Sequence, residues 1–155
     1  MKLCPDKKVL KAIDRWEDEA VNMAAVGVAV DTMHAPEMTP IEQIVYFMLR
    51  YREETRREKF KIHPQYKIGK YRVDFLIVKK HNTAPHCELI AIECDGHDFH
   101  ERTKEQAQRD KQRDRNLQKA GVKVYRFTGS EIWQTDGQCV LDSLGMSEQE
   151  GDYNE

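Results

Sequence analysis

The sequence predicts an α/β fold in which helices flank a mixed central sheet. Residues 71–78 and 88–94 are rich in β-branched and aromatic side chains and are bounded by turn-forming residues, which is typical of strands. A polar helical stretch at 103–120 and a further strand-like run at 122–127 come after them. A strand, a helix and a strand in this order form a right-handed crossover, so the last two strands should be parallel and central.

The first helix of this core should begin at Thr39 and run to about Arg56. Thr39 is a suitable N-cap, Pro40 suits the first helical position, and Glu42 is placed to complete a capping box. Apolar residues recur at helical spacing and should form its buried stripe: Ile41, Ile44, Val45, Met48 and Tyr51.

A hairpin should come next, with strands at 60–68 and 71–78 joined by a tight turn at Gly69 and Lys70. Its first strand should be interrupted at Pro64, which has no N–H to donate to a ladder. The loop 79–87 then leads into the strand 88–94.

The crossover helix at 103–120 has only a thin apolar stripe, essentially Ala107, Leu117 and Ala120. Gly121 should end this helix. After the strand 122–127 the sequence predicts a short helical turn beginning at 129–133, and a last helix at 136–144 capped by Gly145.

Charge is unevenly distributed along the chain. The formal net charge is -2, but residues 146–155 contain four acids and no Lys or Arg. The helix at 103–120 and the region 50–61 are locally basic. Such helices are either solvated surfaces or phosphate-contacting surfaces, and both interpretations stay open. The residues considered for nucleic-acid binding are Lys104, Arg109, Lys111 and Arg115.

The 155 residues are predicted to form three parts: an N-terminal helical arm and linker at 1–35, a core domain at 36–145 and a disordered acidic tail at 146–155. The arm should contain a helix at about 7–24. It could serve packing, a dimer surface or a DNA contact, so a homodimer is left open. The four cysteines show no framework of paired spacings, and no apolar run approaches the length of a membrane span. We therefore expect a cytoplasmic protein with reduced thiols and no membrane partner.

Three acidic residues lie on the two central strand-like runs. Alternation places Leu89, Ala91, Glu93 and Asp95 on one face and Ile90, Ile92 and Cys94 on the other. Asp74 stands in mid-strand among apolar neighbours, where a buried charge needs compensation. A divalent cation such as Mg²⁺ would supply it, and so would an ordinary ion pair with Arg72, Lys111 or Arg113.

Five short segments occur in a characteristic order between about Thr39 and Trp133. They are Glu42, Val73-Asp74-Phe75, Glu93-Cys94-Asp95-Gly96, the stretch from Asp110 to Leu117 with Arg113, and Tyr125-Arg126-Phe127. Together they resemble the signature of the PD-(D/E)xK nuclease superfamily, and most of all its branch around very-short-patch-repair endonucleases. The resemblance implies a restriction-endonuclease-like core. It also implies catalytic roles for these residues: Glu42, Asp74, Glu93, Asp95 and Arg113.

The resemblance further implies a metal-dependent nuclease, most readily a DNA endonuclease, with Mg²⁺ or Mn²⁺ as cofactor. The ion would be held by Asp74, Glu93, the backbone carbonyl of Cys94 and Asp95. A cation from the crossover helix (Lys104, Lys111 or Arg113) would stabilise developing charge, and His97 or His100 could assist proton transfer. One departure matters, because Asp95 stands where the superfamily has a lysine. We expect Asp95 to bind the metal or to pair with a cation from the helix at 103–120.

Two other functions stay open at this point. A catalytically inactive nuclease fold could bind DNA or a protein partner, since a fold does not determine a function. A structural zinc module could also be built, and its ligands would be Cys87, Cys94, His97 and His100.

Overall fold

The computed structural model describes residues 38–55, 60–80, 86–96 and 103–146. The predicted N-terminal arm, His97, His100 and the tail from residue 147 lie outside these ranges. Met146 is described and is buried in the core, one residue beyond the boundary predicted for the core domain.

Helices and strands succeed one another in nearly the predicted order and positions. They are α1 (Pro40–Thr55), β1 (Phe60–Ile68), β2 (Tyr71–Lys80), β3 (Cys87–Asp95), α2 (Lys104–Lys119), β4 (Val122–Thr128), α3 (Gly129–Thr135) and α4 (Gln138–Ser143). Both β2 and β3 are longer than predicted. The last helix starts later than predicted, because Asp136 and Gly137 have positive φ angles of 49° and 83° and end α3 first. No helix in the described ranges is both long enough and apolar enough to cross a membrane.

The described strands form one mixed sheet in the order β1-β2-β3-β4. The first two pairs are antiparallel, and β3 pairs with β4 in parallel, with Glu93 beside Arg126 and Asp95 beside Thr128. The mixed sheet with flanking helices confirms the predicted α/β class and fits a restriction-endonuclease-like core. The prediction that both parallel strands are central was wrong for β4, which lies at the edge of the sheet in the part of the chain that is described.

Each face of the sheet carries its own core. The larger core lies under α1, α3 and α4 and includes Ile90 and Ile92 of β3. The smaller core lies under α2 and includes Ala91 of β3 and Leu117, the only buried residue that α2 contributes. The alternation predicted for β3 is therefore confirmed, and Glu93 lies on the α2 side of the sheet.

The hairpin strands exchange faces partway along their length. Ile62 and Phe75 belong to the larger core, whereas Ile68 and Val73 belong to the smaller one, although their spacing along each strand is even. The exchange occurs at Gln65, whose φ is +50°, and at Asp74 on the facing strand. The predicted interruption is thus one residue later than Pro64, which still pairs with Phe75. Asp74 lies at the position where the side chains of β2 change from one face of the sheet to the other.

Candidate active site

Asp74 and Glu93 come together where β2 and β3 stop pairing. The last pair of the ladder is Phe75 with Ile92, so Asp74 and Glu93 occupy the next position on each strand. The Asp74 Oδ2 atom accepts a hydrogen bond of 2.7 Å from the Cys94 N–H. Its carboxylate therefore takes the place of a main-chain acceptor, because the exchange of faces turns it towards the neighbouring strand.

Glu93 is held by an arginine from the crossover helix. Arg113 Nη2 donates to Glu93 Oε1 and to the main-chain carbonyl of Arg72. The guanidinium also lies 6.0 Å from the centre of the Tyr71 ring, within the range of a cation–π interaction. Arg113 thus links α2 to both strands that carry the acids.

Asp95 pairs with a cation from β4 and not from α2, so the expectation of a helix partner was wrong on this point. Arg126 Nη1 lies 3.7 Å from Asp95 Oδ2, because the parallel register brings Arg126 next to β3. Two hydrogen bonds of 3.0 and 2.7 Å fix the same guanidinium to the Asp114 carboxylate of α2. The bond to Asp114 raises the pKa of Arg126 above its usual range, so it is a permanent positive charge.

Arg126 is the site residue that was not predicted from the sequence. It was visible only as part of the Tyr125-Arg126-Phe127 segment. A usable signal was present, since alternation puts Arg126 on the same face as Val122 and Val124, where an arginine needs acidic neighbours. Its register beside Glu93 could not be read from the sequence.

Glu42 has two contacts in the structure. Its Oε2 accepts from the Thr39 N–H at 2.8 Å, and its own N–H points to Thr39 Oγ1 at 3.5 Å, which is the capping box of α1. It is also buried, and it lies close enough to Asp74 to raise the pKa of that carboxyl. The capping role and the position beside the acids, which the sequence presented as alternatives, coexist.

Two carboxyls of this site, Asp74 and Glu93, have raised pKa values and so bind protons more tightly than ordinary ones. Burial raises the pKa of Asp74 to about 7, and the nearby negative charges of Glu93 and Glu42 add to the rise. Burial also raises the pKa of Glu93, although Arg113 opposes this. Both carboxyls are therefore harder to ionise here than in water, chiefly because they are withdrawn from it.

These donors suit a hard divalent cation in their chemistry, since carboxylate and carbonyl oxygens are what Mg²⁺ and Mn²⁺ take. In the described ranges, however, no three His, Cys, Asp or Glu side chains are grouped so that they could hold an ion as they stand. Glu93 is engaged with Arg113, and Asp74 with the Cys94 N–H. An ion bound at this place would compete with Arg113 for Glu93.

The four residues considered for nucleic-acid binding lie on the outer side of α2. Lys104, Arg109, Lys111 and Arg115 are all exposed, whereas Arg113 is turned towards the sheet. Gln106 caps α2, since its side chain accepts from the Thr103 N–H at 2.9 Å. The outer side of α2 is thus a basic surface separate from the carboxylates.

The zinc alternative is excluded by the position of its cysteines. Cys87 is the first residue of β3, and Cys94 is close to its last. Seven steps along a strand span roughly 23 Å, far more than one zinc ion can bridge. Cys94 also packs against the larger core, and burial raises the pKa of its thiol well above the usual range.

One known protein family covers most of the chain. Residues 45–144 match the restriction endonuclease-like family REase_MTES_1575. The chain belongs to this family. The match includes Asp74, Glu93, Asp95, Arg113 and Arg126 but begins after Glu42. It is a match to the family as a whole and does not single out the very-short-patch-repair branch. No curated protein and no solved structure is significantly similar to the chain.

The raised pKa of Asp74 predicts how stability depends on pH. The folded state holds this proton up to about pH 7, whereas the ordinary value is 3.8, so ionising Asp74 destabilises the fold as the pH rises between these values. In metal-free buffer, Asp74→Asn should raise the free energy of unfolding at pH 8 by on the order of 2 kcal/mol, with little change at pH 4. The amide carries no charge and can still accept from Cys94.

Urea denaturation in EDTA at the two pH values measures this effect. The control is Asp142→Asn, which alters an exposed carboxyl of α4. If Asp74→Asn changed the free energy of unfolding equally at pH 4 and pH 8, ionised Asp74 would not destabilise the fold as proposed.

Proposed function

We propose that the protein hydrolyses phosphodiester bonds in DNA as an endonuclease that depends on Mg²⁺ or Mn²⁺. The observation that carries this proposal is the pair of largely buried carboxyls, Asp74 and Glu93, at adjoining strand positions in a restriction endonuclease-like family member. Their raised pKa values indicate a place where a cation is favoured. The family supports a nucleic-acid substrate.

The proposed metal donors are Asp74, Glu93, the main-chain carbonyl of Cys94 and Asp95. When bound, the ion would polarise the scissile phosphate and lower the pKa of the attacking water. For the chain itself this requires two changes. Asp74 must give up its proton, and the ion must compete with Arg113 for Glu93.

Arg113 does not leave the site when Glu93 is released. The Arg72 carbonyl and the Tyr71 ring still hold its guanidinium beside the two strands. A cation kept there can interact with a phosphate at the carboxylates and stabilise the negative charge that develops on it. Arg113 would thus serve as a partner of Glu93 without substrate and as a partner of phosphate with it.

Arg126 is our candidate for the charge that the family lysine supplies elsewhere in the superfamily. It lies between Asp95 and Asp114 and next to Glu93. Because a guanidinium stays protonated, Arg126 can stabilise charge but cannot take a proton from water. Its contribution to the reaction would be electrostatic.

The first test is cleavage of plasmid and of single-stranded DNA with Mg²⁺ or Mn²⁺. Asp74→Ala and Glu93→Ala should each abolish metal-dependent cleavage, and the double variant should be little worse because the two acids act together. Asp142→Ala, which removes an exposed carboxyl on α4, should retain full activity.

Thermal unfolding with and without Mn²⁺ provides a second readout for the same variants. Mn²⁺ should raise the Tm of the wild type, more at pH 8 than at pH 6, and should not raise that of the double variant. Cleavage that survives in both single variants would refute the assignment of this site.

A role for Arg126 in the chemistry predicts a difference between two substitutions. Arg126→Gln should lower kcat by about a hundredfold or more with little effect on KM, as expected when a charge acts on the transition state. Arg126→Lys should recover most of kcat, because it keeps the positive charge.

Both variants lose the two-bonded contact with Asp114, so their unfolding midpoints should fall together. This shared loss is the internal control. If kcat is equally reduced in both variants, Arg126 supports the structure and not the reaction.

The basic outer side of α2 is proposed to contact phosphates. Lys111→Ala and Arg115→Ala should each lower the slope of log K against log salt concentration by about one. Lys123→Ala is the matched control, because Lys123 is an exposed cation that pairs with Glu88 at the opposite end of the parallel strands. An unchanged slope in the α2 variants would mean that this surface is only solvated.

A further inference from the structure

A cavity of about 330 Å³ lies at the end of the two parallel strands. The described residues that line it are Thr39, Pro40, Ile41, Gly96, Gly129, Ser130 and Trp133. Gly96 directly follows β3 and Gly129 directly follows β4, so the floor is formed where these strands end. Ligands of α/β proteins commonly bind at the carboxyl ends of parallel strands.

The floor of this cavity is main chain. A Cβ atom at Gly129 would be 3.7 Å from the carbonyl oxygens of both Asp95 and Gly96, and one at Gly96 would be 3.8 Å from Ile41. The two glycines therefore keep open a space that side chains would occupy. A flat group can approach the strand ends closely there.

Most of the described residues that line the cavity are apolar. Pro40 and Ile41 come from the first turn of α1, and Trp133 comes from α3. The hydroxyl-bearing residues Thr39 and Ser130 add polar groups, and the described lining contains no charged side chain. The indole of Trp133, with Pro40 and Ile41 in the same lining, suits a flat uncharged ring that stacks on it.

Two residues that line the cavity are sequence neighbours of site acids. Ile41 in its wall precedes Glu42, which contacts Asp74, and Gly96 in its floor follows Asp95. A nucleic-acid strand with a phosphate at the carboxylates can thus place a neighbouring base in the cavity. The first turn of α1 and the end of β3 thus each contribute to the cavity and to the acids of the site.

We propose that this cavity holds an unstacked base next to the cleaved phosphate and that the substrate is therefore unpaired at that position. This inference rests on the proposed function and specifies its substrate class as single-stranded nucleic acid. A base in a duplex must first be unpaired and unstacked, which favours a strand that is already single. Stacking on Trp133 accepts any base, so the cavity does not by itself select a sequence.

The experiment uses the fluorescence of Trp133. The chain has two tryptophans, and Trp16→Phe leaves Trp133 as the only one. This protein is titrated with a thymidine oligonucleotide, with an abasic oligonucleotide of equal length and charge, and with a blunt-ended duplex of two annealed strands, all in Ca²⁺ instead of Mg²⁺. Binding is followed by anisotropy in parallel.

The thymidine strand should quench Trp133 and bind about tenfold or more tightly than the abasic strand. The two-stranded duplex should not quench Trp133. Adding Ser130→Leu, which fills the cavity from an exposed position, should remove the preference for the thymidine strand. Gln134→Leu, on an exposed position of α3 outside the cavity lining, is the matched control and should keep the preference.

The outcomes separate this inference from the proposed function. Equal binding of thymidine and abasic strands, with cleavage still dependent on Asp74 and Glu93, would overturn the cavity assignment and leave the nuclease intact. Base-dependent quenching without cleavage in any metal would support the cavity and overturn the nuclease. A protein that binds none of the three oligonucleotides would overturn both.

Discussion

The hydrogen bond from the Cys94 N–H to the Asp74 carboxylate is the contact on which the site depends. It is made where β2 exchanges its faces and stops pairing with β3. Without the exchange, Asp74 would point into one of the two cores, where a carboxylate costs several kcal/mol. With it, the carboxylate replaces a ladder acceptor and lies beside Glu93. This placement raises the pKa of Asp74, because the carboxyl is buried and lies near two other acids.

Much of the fold could be predicted because it depends on local patterns. The capping residues located the start of α1, and alternation assigned Ile90, Ala91 and Ile92 of β3 to the correct faces. The exchange of faces could not be predicted, because it depends on the left-handed conformation of Gln65, a residue with no strong preference for it. The partner of Asp95 was also missed. Which residue faces Asp95 is set by the register between β3 and β4, and periodicity within one strand does not contain that information.

Two arginines, Arg113 and Arg126, pair with the acids of the site. Arg113 is held by a carbonyl, an aromatic ring and Glu93, so it keeps some partners when one is lost. Arg126 is fixed between carboxylates from β3 and α2 and is a permanent charge. Arg113 thus resembles an exchangeable counter-ion, and Arg126 resembles a fixed one. This arrangement allows a buried acidic pair to exist in the folded protein.

Glu42 belongs at once to the start of α1 and to the surroundings of Asp74. A substitution there changes how firmly a helix begins and how strongly a neighbouring acid holds its proton. The two properties cannot be adjusted independently through this residue. Variation at Glu42 during evolution is therefore constrained twice, and a change that suits one property must be compensated elsewhere in the other.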